Sequence, residues 1–567
     1  PTFAQLEQSK QYYQFPDSLS VDRYEIDGKI EDTVSAIRDI DISGQQGWYN
    51  QTLVYTHGYG LVASYGNQRS ASGEPVFLES GIPTSGRLGE FQPRVYFGMN
   101  SPEYSIVGGE RDKPIEIDYP ADDEAQAPAS TDGAASDDSE AADAEATNAE
   151  ATESTDAASA TKSDDVEADQ EATVEETDGG RQNLTTFSGE GGPVLSNIFT
   201  KLIYALKFQA MEIVLSGAVV DGSQILYDRN PVDRVQKVAP YLTIDSSPYA
   251  SVVDGQVVWI IDGYTTSSQY PYSEMNDFNS LIVDADDPRT NPLAKPVNYV
   301  RNSVKATVDA FDGSVHLYAW DDADPILAAW RSAFPGVVEP RANISASLMS
   351  HLRYPEDLFK IQRTLMAKYH VQDPDSFYGG QDFWRIPQDP TQETARTDQP
   401  PYYLSIAMPG QTTPNFSLTT TFMPTGNREV LTGFLAVDSN PGNQADGKRL
   451  DGYGTLRLLE LPPNSSVKGP GQVQNDIASS NQSSKAFTLT LSQFINNARQ
   501  QGSVVTLGNL LTLPMGGGML YVEPIYVQGT AASQFPLGRA IVVAFGNKLA
   551  WSNTLDGALN ELFGGQV

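Results

Sequence analysis

The feature that most constrains this chain is a stretch of sixty residues, 121–180, from which aromatic residues, leucine and isoleucine are absent. It holds 20 Asp and Glu residues and one basic residue, Lys162. Such a segment cannot bury enough apolar surface to offset the roughly 1–2 kcal/mol of backbone entropy lost per ordered residue, and its like charges repel. We therefore expect a disordered acidic insertion that loops out between two elements of one folded unit.

The rest of the chain has the composition of a folded protein. Removing the segment's 20 acids and one lysine from totals of 73 and 37 leaves 53 and 36, so the net charge changes from −36 to −17. This acidic balance makes nucleic acid a poor partner, because phosphate contacts need clustered cations. The absence of cysteine excludes disulfides, thiolate metal sites and cysteine nucleophiles.

The pattern of short strands and amphipathic helices predicts an α+β fold in which strands outnumber helices. We divide the chain into a strand-rich N-terminal part (1–120), the acidic insertion (121–180), a mixed helix and hairpin part (181–390) and a strand-rich C-terminal part (391–567). Residues 1–120 and 181–567 are expected to pack as one unit. No run approaches 18 uninterrupted apolar residues, and the chain opens at Pro1 without a signal-like core, so we expect a soluble part excised from a longer protein.

Local turn and cap signals place several elements. An Asp-Gly dipeptide, which suits the positive backbone angles of a tight turn, predicts hairpins at 251–261 and 305–320. A β-branched and aromatic run predicts a strand over 52–62. Helices are predicted at 228–239, 324–334, 345–369, 491–501 and 554–563, with the one at 345–369 interrupted or restarted near Pro355.

The segment 194–215 has the strongest helical pattern. Its apolar residues stand at 195, 198, 199, 202, 203, 206 and 210, which is one face of a helix. Lys201, Lys207 and Glu212 interrupt the apolar character, so a helix packed into the core is favoured over a membrane segment.

No complete catalytic motif occurs. The four histidines do not form H-E-x-x-H, and no G-x-S-x-G nucleophile elbow is present. His57 is the strongest candidate for ligand binding, together with Tyr55 and Tyr59, because the glycines of Tyr55-Thr-His-Gly-Tyr-Gly permit tight turns and close approach by a ligand. A hydrogen-bonded structural histidine beside a turn is nevertheless the favoured interpretation of His57. We expect no catalytic residues and no resident cofactor, and a non-enzymatic role is favoured.

The loop 438–451 is the one candidate for a metal ion. Asp438, Asn440, Asp446 and Asp451 offer oxygen ligands in a Gly-rich turn, which is the donor type that calcium prefers. The loop lacks the bidentate Glu and the regular spacing of a helix-loop-helix calcium site. A solvated acidic turn that binds no metal is therefore favoured.

Ten blocks of the sequence carry a resemblance to known proteins. They are PTFAQLEQSKQYYQFPD (1–17), VYTHGYGLVASYGNQR (54–69), GEPVFLESGIP (73–83), SPEYSIVGG (101–109), KLIYALKFQ (201–209), ILYDRNPVDRVQKVAPYL (225–242), VVWIIDGYTTSSQYPYS (257–273), VNYVRNSVKATVDAFDGSV (297–315), HLRYPEDLFKIQRTLMAKYHV (351–371) and FYGGQDFWRIP (377–387). These blocks resemble one family, the uncharacterised membrane proteins numbered 0182 in the UPF series, which are common in actinobacteria. The resemblance covers nearly the whole chain outside the acidic insertion.

The resemblance implies a topology and supplies no catalytic residues. Members look like polytopic proteins with about seven N-terminal membrane helices followed by a large extracytoplasmic domain, and this chain is similar to that domain alone. The expected location is the outer side of the cell membrane. The expected partners are the membrane-embedded N-terminal part of the same protein, other envelope proteins or a second copy. The expected role is an assembly or substrate-contact module; the alternative is an envelope enzyme or transporter component that handles lipid or glycan.

Overall fold

The computed structural model describes residues 2–120, 182–284, 296–392, 397–500, 502–529 and 535–564. The predicted acidic insertion, 121–180, lies outside these ranges. Residues 2–119 and the described residues from 184 onward belong to one compact unit. The second unit, Pro120–Asn183, consists almost wholly of residues outside the described ranges.

Helices and strands alternate along the described residues. The α-helices are α1 (Thr2–Glu7), α2 (Ile198–Phe208), α3 (Glu212–Leu215), α4 (Pro231–Val238), α5 (Phe278–Ile282), α6 (Pro325–Ala333), α7 (Ala346–His351), α8 (Glu356–Tyr369), α9 (Pro374–Gly379), α10 (Pro470–Ala478), α11 (Leu491–Gln500) and α12 (Leu555–Phe563). The strands before the acidic segment are β1 (Tyr13–Gln14), β2 (Ser20–Ile26), β3 (Lys29–Ile37), β4 (Asp39–Ile40), β5 (Gly58–Tyr59), β6 (Leu61–Arg69), β7 (Pro75–Ser80), β8 (Ser85–Gly86), β9 (Arg94–Val95), β10 (Tyr104–Gly108) and β11 (Glu116–Pro120).

The strands after the acidic segment are β12 (Gln182–Thr185), β13 (Ser223–Tyr227), β14 (Thr243–Ile244), β15 (Tyr249–Val253), β16 (Gln256–Ser267), β17 (Tyr299–Asp309), β18 (Val315–Ala319), β19 (Trp384–Arg385), β20 (Tyr402–Ile406), β21 (Asn415–Pro424), β22 (Gly433–Asp438), β23 (Leu456–Glu460), β24 (Val504–Leu507), β25 (Leu511–Met515), β26 (Gly518–Gln528), β27 (Leu537–Phe545) and β28 (Lys548–Ser552). The predicted α+β class is confirmed.

Four five-stranded antiparallel sheets organise these elements. The N-terminal sheet has the order β2-β3-β6-β7-β8. The other three, β14–β18, β19–β23 and β24–β28, share one topology, which we call the first, second and third meander. In each, two short strands pair with one edge of a long third strand, and the fourth and fifth strands follow on its other side. Each meander is thus four strands wide with an interrupted edge strand.

Local signals located several elements correctly. The two predicted hairpins are β15–β16 and β17–β18, with Gly255 and Gly313 at positive φ of 79° and 73°. The helix predicted at 324–334 is α6, whose N-cap Asp324 accepts hydrogen bonds from the N–H groups of Ile326 and Leu327. The predicted helix 345–369 divides into α7 and α8 before Pro355, as a proline at a helix start requires.

The sheets pack in pairs through their apolar faces. One core joins the N-terminal sheet to the first meander and includes Leu61 of β6 and Ile261 of β16, both fully buried. Another joins the second meander to the third and includes Phe434 of β22 and Val542 of β27. Burial of such side chains, about 1.5–3 kcal/mol each, is the main favourable contribution to folding.

The end of α7 and the residues that follow it up to Tyr354 are largely buried, and side chains donate hydrogen bonds to each of their carbonyl groups from residue 350 to residue 354. Arg23 donates to the carbonyls of residues 350 and 352 at 2.8 and 2.7 Å. Tyr249 donates to that of residue 351 at 2.9 Å, and Lys305 to that of residue 353 at 2.6 Å. Tyr403 donates to that of residue 354 at 2.6 Å. We call residues 350–354 the carbonyl segment; its donors come from three different sheets.

The prediction that the helix within 194–215 lies in the core is wrong. Its outward side chains are among the most exposed apolar groups of the described structure, with Phe199 and Leu206 each 68% accessible. The helix is held by its other face, where Ala205 is buried and Phe208 stacks on Tyr104 at 4.4 Å. Within the described residues, no helix has the length and apolar character needed to cross a bilayer.

The contribution of the carbonyl segment to stability can be tested at its last carbonyl group, that of Tyr354, by removing the hydroxyl that donates to it. Tyr403→Phe keeps the ring, which stacks on Phe416 at 5.3 Å, but leaves the carbonyl of Tyr354 without its donor at 2.6 Å. We expect a loss of about 1–2 kcal/mol in the free energy of unfolding measured with urea. The matched control, Tyr378→Phe, removes a hydroxyl from a side chain that is 95% exposed and should change it by under about 0.5 kcal/mol. Equal effects would contradict a structural role for this bond.

Candidate functional site

His57 lies in the interior. The predicted strand 52–62 begins instead as a helical turn, Asn50–Val54, and His57 follows it directly before β5. Only 1% of the residue is accessible, and its ring lies 4.5 Å from that of Tyr96. After the helical turn the backbone becomes extended at Gly58, which packs against β4. A Cβ at this position would lie 2.3 Å from the carbonyl oxygen of Arg38, so this close packing requires glycine.

The ring nitrogens of His57 contact the hydroxyl of Thr56 on one side and the buried carboxylate of Asp118 on the other. The hydroxyl of Thr56 donates to Glu116 at 3.0 Å, so it accepts from Nδ1 of His57 at 2.9 Å. Nε2 faces Oδ1 of Asp118 at 3.4 Å. Arg94 donates to both oxygens of that carboxylate at 2.7 Å. Burial raises the pKa of Asp118, but the bonds from His57 and Arg94 outweigh burial and hold the pKa below its usual value.

Glu116 has its acceptor capacity filled by neighbouring groups. One oxygen accepts from Thr56 and from the hydroxyl of Tyr96, both at 3.0 Å. The other accepts from the backbone N–H groups of Gly108 and Phe187 at 2.9 and 3.0 Å. A carboxylate bonded in this way is a poor general base, because a substrate would have to displace one of these four donors.

The two tyrosines predicted with His57 lie in an aromatic cluster beside it. Tyr55 is half-buried with its ring 5.1 Å from that of Tyr12. Tyr59 is buried next to Tyr119, and burial raises its pKa to about 12. The structure therefore brings the three candidates close together in an enclosed region, and these contacts fit the structural interpretation.

Arg229 completes this buried network and was not singled out from the sequence. Its guanidinium donates to the carbonyl of Tyr96 and to the hydroxyl of Ser105, both at 2.7 Å, and to the carbonyl of Thr56 at 2.5 Å. Burial lowers its pKa to about 10. The only signal in the sequence was its place in the block ILYDRNPVDRVQKV, directly before the helix cap Asn230.

A second buried cluster has the residue types of a hydrolase triad without its geometry. The hydroxyl of Ser251 donates to Oδ2 of Asp22 at 2.5 Å, and Nδ1 of His351 contacts the same oxygen at 2.9 Å. A triad needs the histidine between serine and aspartate. Here the aspartate lies between them and all three are buried, so the arrangement does not activate the serine.

The predicted calcium ligands do not converge. Asp438 is buried and accepts three hydrogen bonds from Arg457 at 2.9–3.2 Å. The side-chain oxygen of Asn440 accepts a hydrogen bond from the N–H of Gly442. Asp446 and Asp451 are exposed. Across the described ranges, no three His, Asp or Glu residues are grouped closely enough to hold a metal ion.

A cavity lined by polar side chains lies on the first meander. It has a volume of about 290 Å³ and lies between the β15–β18 strands and the start of α7; its lining includes Gln256, Thr307, Asp309, His316, Tyr318 and Asn343. Nδ1 of His316 contacts a carboxylate oxygen of Glu339 at 2.8 Å, and Asn343 donates to the other oxygen at 2.9 Å. Burial raises the pKa of Asp309. These groups could hold a small polar ligand by hydrogen bonds.

Alternation along β18 could have located this site. In Val315–Ala319 the buried Leu317 faces the core, so its neighbours His316 and Tyr318 share the opposite face of the strand. The glycines around His57 mark a close approach of two backbones, where Gly58 packs against Arg38 and Asp39.

The fold and these clusters define a strand-rich α+β protein with a largely enclosed polar interior, and comparison with known proteins identifies its family. Residues 1–136 and 152–490 match the uncharacterised protein family UPF0182. The chain is 48% identical over 574 residues to a UPF0182 protein of Leifsonia xyli subsp. xyli, and 49% identical over 575 residues to one of Clavibacter michiganensis subsp. michiganensis. A Bifidobacterium longum relative is 46% identical over 582 residues. The chain belongs to the UPF0182 family.

The matches cover the chain and only part of each relative. They include 100, 99 and 100% of this chain but 52, 52 and 48% of the three relatives. The chain thus spans about half the length of the curated relatives it matches. No solved structure matches the chain. The family has no assigned function, so the activity must be argued from the chain itself.

The pairing of Asp118 with Arg94 and His57 predicts a pH-dependent stabilisation. Asp118→Asn should lower the free energy of unfolding at pH 7 by about 2–3 kcal/mol, because it leaves a partly buried guanidinium unpaired. A carboxyl whose folded pKa is depressed stabilises above its unfolded pKa, and the effect disappears as pH falls through the folded pKa. The difference in the free energy of unfolding between the parent and Asp118→Asn should therefore shrink below about pH 4. Asp27→Asn, which breaks the exposed pair with Arg87, should cost under about 0.5 kcal/mol.

The contacts of Asp438 predict that calcium does not stabilise the chain. Adding calcium chloride at millimolar concentration should leave the melting temperature unchanged, because an ion would have to displace Arg457 from the only buried carboxylate of the four candidates. Magnesium chloride at equal ionic strength is the control for salt effects. An upward shift specific to calcium would restore the loop 438–451 as a metal site.

Proposed function

We propose that the chain is the extracytoplasmic domain of a multi-pass membrane protein and serves the cell envelope as an assembly or substrate-contact module. The resemblance of its sequence blocks to polytopic proteins supports the location. The relatives' additional length, about half of each protein, leaves room for a separate membrane-anchored part. The partners of the module would be that anchored part, other envelope proteins or a second copy.

The observation that carries a contact role is the enclosure of the reactive groups. His57 and His351 are buried, and their carboxylate and hydroxyl neighbours bond to protein donors and acceptors. An active site needs a nucleophile or base that a substrate can reach. These groups instead fix the positions of strands and loops, which is what a surface that recognises a partner requires.

A substrate-handling component is the second candidate, and the cavity beside His316 favours it. Its lining combines amide, hydroxyl and carboxylate groups with the edge of Tyr318, and such a combination suits the hydroxyl groups and apolar ring faces of a glycan. Under this alternative the domain would bind envelope glycan at the first meander and present it to another part of the protein.

The location can be tested with single cysteines, because the chain has none of its own. Ser332→Cys places a thiol on the exposed surface of α6. In the full-length membrane protein, we expect a membrane-impermeant maleimide to label it in intact cells as completely as in lysed cells. Labelling only after lysis would place the domain on the cytoplasmic side and refute the proposed function.

A buried serine supplies the matched control. Ser223 is fully buried and its hydroxyl makes no hydrogen bond, so Ser223→Cys changes one atom without removing a polar contact. This cysteine should stay unlabelled in intact and lysed cells and react only after denaturation. Labelling of the native protein at 223 would mean that the maleimide reports unfolding instead of location.

A further inference from the structure

The cavity beside His316, which we call the His316 cavity, has walls of two kinds. One wall is apolar and consists of Val253, Val258 and Leu348. Carboxylate, amide and hydroxyl groups form the rest of the lining, and Asp254 and Asp309 supply the carboxylates. A ligand that fills this space must therefore present a nonpolar face on one side and polar groups on the other.

The polar wall carries negative charge that its own side chains do not neutralise. The described residues that line the cavity include Asp254 and Asp309 but no lysine or arginine. The one basic group among them is His316, which contacts the carboxylate of Glu339 at 2.8 Å. Even a protonated His316 would only balance Glu339, so a ligand that enters the cavity meets a negative potential.

Two groups of the lining respond to this potential. Burial raises the pKa of Tyr318, and the negative charges of Glu339 and Asp254 raise it further. Burial also raises the pKa of Asp309, and the charge of Asp312 adds to that effect against the hydrogen bonds from two backbone N–H groups. A cationic group inside the cavity would offset the negative charges at both positions.

Each carboxylate of the lining has one oxygen that is not used by the protein. Oδ1 of Asp309 accepts from the N–H groups of Phe311 and Asp312 at 2.7 and 3.1 Å. Oδ2 of Asp254 accepts from the hydroxyl of Ser345 at 2.7 Å. The other oxygen of each accepts no hydrogen bond from the described residues. Two carboxylate oxygens are thus available to a donor on a ligand.

The hydroxyl of Tyr318 is available as a donor. Tyr318 lines the cavity and is only 9% accessible. Its oxygen accepts from the hydroxyl of Thr307, but its own proton meets no acceptor among the described residues. Because buried hydroxyl groups almost always donate, this proton indicates an acceptor atom on the ligand.

A metal ion does not fit this charge. Within the described ranges, no three His, Asp or Glu residues lie close enough together to hold one. Separated carboxylates suit an organic cation, and a primary ammonium group offers three N–H donors to them.

We propose that the His316 cavity binds an amino sugar whose amine is free and protonated. Its ammonium group would donate to Asp254 and Asp309, and a ring hydroxyl would accept from Tyr318. The C–H face of the sugar ring would lie on the wall of Val253 and Leu348. The inference rests on the second candidate under the proposed function, glycan binding at the first meander, and names the class of glycan.

Three monosaccharides that differ at one substituent test the proposal on the purified 567-residue chain. Glucosamine, N-acetylglucosamine and glucose are titrated by saturation-transfer difference NMR at about pH 6.5, below the usual pKa of an amine. We expect glucosamine to have a dissociation constant at least about tenfold lower than either neutral sugar, because it alone offers an ammonium group to the carboxylates. Dissociation constants that agree within about twofold would overturn the proposal.

Aspartate-to-asparagine variants assign the effect to the cavity. Asp254→Asn and Asp309→Asn each keep an oxygen for the existing hydrogen bonds, and Asn tolerates the left-handed conformation at 254, where φ is 50°. Each should raise the dissociation constant of glucosamine about fivefold or more and leave that of glucose within about twofold. An equal loss for both sugars would indicate a structural role and contradict the assignment.

Asp27→Asn is the matched control. Asp27 also precedes a glycine in a hairpin turn and has a φ of 52°, but it is exposed on the N-terminal sheet and lies outside the cavity lining. This variant should bind glucosamine as the parent does. A loss equal to that of Asp254→Asn would mean that the net charge of the chain, and not the cavity, attracts the sugar.

The outcomes separate this inference from the proposed function. Equal binding of the three sugars would overturn the amino-sugar specificity and leave glycan binding supported. Absence of binding by all three would overturn both of these, whereas the location of the domain is decided by the labelling experiment in cells. Selective binding of glucosamine that depends on Asp254 and Asp309 would support the inference even if labelling places the domain on the cytoplasmic side.

Discussion

The carbonyl segment is the constraint on which the arrangement of the sheets depends. Pro355 lacks an N–H group and restricts the residue before it to extended conformations, so α7 ends at His351 and the carbonyl groups near this end lack the N–H donors of a further helical turn. Carbonyl groups left without partners in this largely buried segment would be very costly. The donors that satisfy them come from the N-terminal sheet and from the first and second meanders, so these three sheets must meet at this segment.

Charges around the segment are balanced within the same region. Lys305 pairs with Asp262 at 2.5 Å, and Asp22 contacts His351 at 2.9 Å. Burial and the charge of Asp262 raise the pKa of Asp245 to about 6, which favours the neutral carboxyl. Buried ionic groups contribute little net stability because desolvation opposes their attraction. An alternative packing that left one of them unpaired would, however, be strongly unfavourable. Their role here is to select one arrangement of the sheets.

The elements that the sequence predicted well are those determined by neighbours in the chain. The hairpins at Gly255 and Gly313 follow from turn chemistry, and α6 follows from a cap and a proline that lie within three residues of each other. The carbonyl segment could not be found this way, because Arg23 lies 327 residues from Ser350. The shared topology of the meanders also escaped, since their loops differ in length and leave no fixed period.

His57 and the segment 194–215 show the same limit of sequence reasoning. Residue type gives the chemistry of a side chain but not which of two surfaces it faces, so His57 was left open between a ligand site and a structural role, and 194–215 was wrongly assigned to the core. Glycines beside His57 served the approach of β4 to β5, which enclosed the histidine. The apolar stripe of α2 was assigned to the core because apolar stripes usually are, but Ala205, Tyr204 and Phe208 already form an inner face sufficient to hold the helix. The stripe therefore lies on the side of the helix away from the cluster of Leu195, Ala205 and Ile213, because a helix that packs through its small and aromatic residues can expose its aliphatic ones.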